Sequence, residues 1–133
     1  MIDINWKVFE IKSPKATEAF ENLCYFLFCR KYGLKGGVRT DFNQVGLETE
    51  PVKDSEGNYC GFQSKFFEKN VKYDNIRKSI EKALDSYPRL KYIIIYLNQP
   101  ARTSCENAKK IEEKCAKKGI KIEWFLPANF VVS

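Results

Sequence analysis

The chain has 133 residues, 44% of them hydrophobic and 14% aromatic, which is enough apolar surface for one core and too little length for two independent domains. That hydrophobic content, alongside 30% charged residues, excludes a chain disordered over its bulk. The net charge of +6 suits a polyanionic partner as well as it suits basic residues spread over a solvated surface, and the absence of histidine removes imidazole from any site the chain carries.

Five cysteines at positions 24, 29, 60, 105 and 115 are odd in number and lack CxxC spacing, so they indicate neither a disulfide framework nor a structural zinc site. They read as reduced, small core residues of a cytoplasmic protein, since no histidine is present to activate one as a nucleophile. The longest apolar run, Tyr92 to Leu97, is far too short to span a bilayer, and no membrane contact is expected.

From Pro14 to about Tyr32, Phe20, Leu23, Cys24, Leu27 and Phe28 recur at helical spacing, with Ser13 as N-cap and Gly33 as terminator. Glu21 falls beside Cys24 and Phe28, at the edge of the apolar stripe, where a carboxylate could look into a cleft. Extended chain follows over Val38 to Phe42. Gln44 to Val52 and Tyr59 to Phe67 then read as an antiparallel hairpin around the polar turn containing Gly57. A turn centred between Ser55 and Glu56 places Glu48 opposite Gln63 and Glu50 opposite Gly61, with Glu48, Glu50, Gln63 and Lys65 on one face.

A second amphipathic helix begins near Tyr73 and is ended by Pro88, its stripe being Tyr73, Ile76, Ile80, Ala83, Leu84 and Tyr87. Tyr92 to Leu97 has the continuous apolar character of a buried central strand. A third helix is expected over Thr103 to Lys118, terminated by Gly119, and Ile120 to Leu126 is the last strand. This order of elements predicts an α/β fold, a mixed sheet flanked by helices, in one domain over residues 1–133 with 127–133 as a tail or the start of a linker.

An amide, a lysine and carboxylates on one sheet face, in a chain without histidine, point to Mg²⁺ held by oxygen ligands and acting on phosphodiesters. Glu48 and the side-chain oxygen of Gln63 suit Mg²⁺, with Mn²⁺ as a substitute. Lys65 then orients or deprotonates the attacking water, or stabilises charge on the phosphate. Lys69, Lys72, Arg77 and Lys78 follow the lysine and could contact a DNA backbone, or form an ordinary solvated helix face.

Glu21 on the first helix, Gly46-Leu-Glu48 on a strand, and Gly61-Phe-Gln-Ser-Lys65 before a helix together resemble the PD-(D/E)xK nuclease superfamily, in the Mrr-like branch with glutamine at the second acidic position. The resemblance covers roughly residues 15 to 100. It implies a restriction-endonuclease-like αβββαβ core, here with a further helix and strand. It puts Glu48 at the first acidic position, Gln63 at the second, Lys65 at the lysine, and Glu21 at the auxiliary carboxylate of the helix, with Glu50 as an alternative ligand to Glu48. Similar domains stand at the N-termini of bacterial STAND NTPase antiphage defence proteins, where they cut double-stranded DNA. That implies an effector with little sequence specificity, brought into a homo-oligomer by a fused or separate regulatory or NTPase module. The chain departs from the usual pattern by having glutamate at 48 and a neutral glutamine at 63. Other readings of the same residues are a Lys65 to Glu48 ion pair without catalysis, a catalytically silent nucleic-acid-binding module, and a protein-interaction domain.

Overall fold

A computed structural model describes residues 15–33, 47, 51–99 and 105–127. Its elements in chain order are α1 (Lys15–Lys31), β1 (Val52–Lys53), β2 (Tyr59–Lys65), α2 (Tyr73–Ser86), β3 (Leu90–Leu97), α3 (Glu106–Lys117) and β4 (Lys121–Phe125). The sheet runs β1-β2-β3-β4 in space. β1 is antiparallel to β2, whereas β2, β3 and β4 are mutually parallel. This is the α/β class expected from the sequence, a four-stranded mixed sheet with three helices on it, compatible with a restriction-endonuclease-like fold.

Two clusters of buried side chains divide the molecule into layers. On one face Ile93, Ile95 and Leu97 of β3 pack with Ile76, Ile80, Ala83 and Leu84 of α2 and with Ile111 and Cys115 of α3. On the other, Phe20, Cys24 and Phe28 of α1 pack on Phe62, Ile94 and Tyr96. β3 therefore buries both faces, which is why its sequence is continuously apolar rather than alternating. The contact Phe28–Phe62 at 4.6 Å and the contact Phe20–Phe66 at 5.7 Å, between ring centroids, run α1 antiparallel to β2. The start of α1 thus lies at the C-terminal end of β2.

Around the hairpin the local expectations change: of the expected strand Gln44 to Val52, the described residues Leu47 and Pro51 are not in strand and β1 is Val52–Lys53. β2 ends at Lys65 rather than Phe67, because Phe67 is held by side chains of the chain after β3 instead of by a strand partner. The hairpin register is shifted by one residue, with Val52 opposite Cys60 and Lys53 opposite Tyr59. Asp54 and Asn58 close the turn, Asp54 accepting at its backbone oxygen from Gly57 and donating to Asn58, so the loop is centred on Glu56 and not between Ser55 and Glu56. Gly57 supplies the left-handed residue this loop needs, at φ 84°. The expected extended segment Val38 to Phe42, the expected helix start at Thr103 and the expected N-cap Ser13 lie outside the described residues. No helix among the described residues is long and apolar enough to cross a membrane.

Candidate active site at the end of strand β2

Alternation along β2 sends Phe62 into the α1 layer and Gly61, Gln63 and Lys65 into the α2 layer. Gln63 lies beside Ile95 of β3 and is 1% exposed, and it is the one buried polar side chain among the described residues. An amide in such a position costs free energy unless its polar atoms are matched. Two residues on, Lys65 emerges half-buried at the C-terminal end of the parallel strands, the place where α/β sheets commonly bind ligands.

Lys65 is fixed there from two directions. Its ammonium donates to Asn75 Oδ1 at 2.8 Å and to Ser79 Oγ at 2.6 Å, both on α2. Its backbone oxygen accepts from the Asn98 amide at 3.4 Å. Just beyond β2 the Asn98 side chain imitates a strand partner, accepting from Phe67 N at 2.7 Å and donating to Phe67 O at 2.8 Å. Gln99 adds donations to the carbonyls of Phe67 and Glu68. Asn98 and Gln99 thus supply the Phe67 backbone groups with partners just beyond the last ladder pair, Lys65 opposite Leu97.

The remaining candidates fall into three groups. Glu48 and Glu50 lie outside the described residues, and with the register centred on Glu56 the hairpin geometry no longer places Glu48 opposite Gln63. Their neighbour Leu47 is fully buried, and a Cβ on Gly61 would stand 2.8 Å from its Cδ1. Continued regularly, the β1 register would set Leu47 across from Lys65; it lies over Gly61 instead, two positions from Gln63 on the same face. Glu21 is half-buried on α1, in the layer opposite Gln63 and Lys65, but next to Phe20 and so at the same end of β2.

Of the four basic candidates, Lys69 and Lys72 are exposed and enter no ion pair among the described residues. Arg77 and Lys78 are engaged within α2 itself. Arg77 pairs with Asp74 and Glu81, and Lys78 with Asp74. These are the i,i+3 and i,i+4 spacings of a helix surface. Hydrogen bonding to Asp74 raises the Arg77 guanidinium, while the guanidinium lowers Asp74. Lys114 of α3 joins Glu81 across the helix pair and, with Arg77, lowers its carboxyl. Arg77 and Lys78 thus carry carboxylate partners on the exposed surface of α2, pairs weak enough for a DNA backbone to compete with.

Two features went unread in the sequence. Asn75 and Ser79 flank the apolar residues Ile76 and Ile80, and their i,i+4 spacing was a legible signal of a shared helix face. Cys105 differs from the other thiols, which are buried. It is the half-exposed N-cap of α3, and the Ala108 amide and the Tyr73 side chain lower its thiol. Cys115, by contrast, is pushed up to about 11 by burial.

Among the described residues no three acidic or thiol side chains are grouped to hold a metal ion. The described donor at the site is the oxygen of Gln63, a hard neutral ligand of the type Mg²⁺ accepts. No family model and no curated protein matches this chain.

Proposed function

We propose that this chain is a Mg²⁺-dependent endodeoxyribonuclease domain of the PD-(D/E)xK type, working on double-stranded DNA in the cytoplasm as the effector of a prokaryotic antiphage protein. The observation that carries the reading is the pairing of Gln63 and Lys65 on one face at the open end of β2, with the ammonium anchored by Asn75 and Ser79. A solvated strand face has no reason to bury a glutamine at 1% exposure or to order a lysine.

Gln63 would offer an amide oxygen to the metal and Glu48 the carboxylate, with Glu50 as the alternative to Glu48 and Glu21 assisting through a second metal or a metal-bound water. Bound Mg²⁺ would supply charge neutralisation at the phosphate and a more acidic water. The chain itself contributes a positive charge at Lys65, directed by two neutral acceptors toward the strand end, where negative charge builds as a phosphodiester is cleaved. The β2 backbone is kept from fraying beneath it by Asn98 and Gln99.

Incubation of supercoiled plasmid with wild type and with Lys65→Ala, in Mg²⁺, Mn²⁺ and EDTA, tests the reading. Nicking or linearisation that needs metal and falls by about 10²–10³-fold in Lys65→Ala is the expected outcome. Cleavage that persists in EDTA, or that Lys65→Ala leaves intact, overturns it. DNA retention without cleavage in either metal replaces it with a silent binding module.

A further inference from the structure

We infer that Asn75 and Ser79 are positioning residues for Lys65, holding its ammonium at the scissile phosphate; the inference rests on the nuclease reading above. A lysine ends in a point charge on a flexible stem, so its value to a reaction depends on what fixes the terminal nitrogen. Here both acceptors come from one face of α2, one turn apart, at 2.8 and 2.6 Å from that nitrogen. The depth and rotation of α2 are set by Ile76 at 0% and Ile80 at 3% exposure, which alternate with the two acceptors along the helix. The core therefore fixes where Asn75 and Ser79 stand, and they fix where the charge stands.

The chemistry of the acceptors matters as much as their placement. An amide oxygen and a hydroxyl orient an ammonium without themselves neutralising its charge, so what these two acceptors supply is position. Asp74 and Glu81 of α2 point elsewhere, being taken by Arg77, Lys78 and Lys114. The helix thus separates its two jobs, anionic side chains toward its own surface and α3, neutral acceptors toward β2. Asn98 completes the arrangement from the backbone side by accepting from and donating to Phe67, two residues after Lys65.

Steady-state cleavage by Asn75→Ala, Ser79→Ala, the double variant and Ser79→Thr, each with its melting temperature, tests this. A structural role alone would lower stability in step with activity. A positioning role lowers kcat by about tenfold in each single variant and about a hundredfold in the double variant, with KM and melting temperature near wild type. Ser79→Thr, which keeps the hydroxyl, should restore most of the rate. An active wild type whose alanine variants keep kcat within about twofold, or lose it only as they unfold, overturns the positioning role alone. A wild type that cleaves no DNA in Mg²⁺ or Mn²⁺ overturns the nuclease reading, and this one with it.

Discussion

Gly61 has no side chain because Leu47 occupies the space where one would stand. A Cβ there would come within 2.8 Å of Leu47 Cδ1 and 3.0 Å of Cδ2, and Leu47 is fully buried and has little room to give. Gly61→Ala should therefore cost about 1–3 kcal/mol of stability, the range for overpacking a filled core. Chemical denaturation of the variant measures it, and an unchanged midpoint would show that Leu47 does not sit on β2. The glycine was legible as part of a Gly-Phe-Gln-Ser-Lys run, but its reason was not, since Leu47 is remote in the chain. The same divide runs through the site. Period-two alternation put Gln63 and Lys65 on one face correctly, whereas the acceptors Asn75 and Ser79 depend on how α2 docks, which no local pattern states.

At the scale of elements, the helices and parallel strands followed their patterns closely because each carries a buried stripe or run that one layer of the core demands. α2 begins at Tyr73 as expected, and β3 starts at Leu90, two residues early, where Leu90 joins the core. The β1–β2 turn was misread by one residue, and the cause is a side chain. Asp54 Oδ1 accepts from the amides of Glu56 and Asn58, both at 2.9 Å, and so gathers the loop around Glu56. The Asn58 amide foremost, then that of Glu56, lowers the Asp54 carboxyl below its ordinary 3.8. Its folded value is thus below the unfolded one, so its contribution is complete above the ordinary value and is lost as pH falls through the lowered one. Asp54→Ala should accordingly melt below wild type at neutral pH, with the gap closing in acid. A gap in melting temperature that stays constant down to about pH 2 would refute the turn's dependence on the ionised carboxylate.

For the whole molecule, the layering decides which candidates can meet. α2 and α3 cover one face of the sheet and α1 the other, so Lys65 finds its partners on α2, while Glu21 starts from the far layer at the same strand end. Charge is distributed in a similar way. The α2–α3 surface consumes Arg77, Lys78 and Lys114 in internal pairs and leaves exposed Lys69 and Lys72, on the loop between β2 and α2, beside the open end of β2. Composition showed the basic excess but not the pairing: the pairs of Arg77 and Lys78 follow the i,i+3 and i,i+4 spacing of α2, whereas the Lys114–Glu81 pair depends on how α2 and α3 dock. Whether Gln63 ligates a metal at this strand end decides between a nuclease and a silent module. Anomalous diffraction from crystals grown with Mn²⁺ measures that directly. We expect a peak at direct bonding distance, about 2.1 Å, from Gln63 Oε1 on the α2 side of β2. Occupied Mn²⁺ sites elsewhere with none at Gln63 would contradict it.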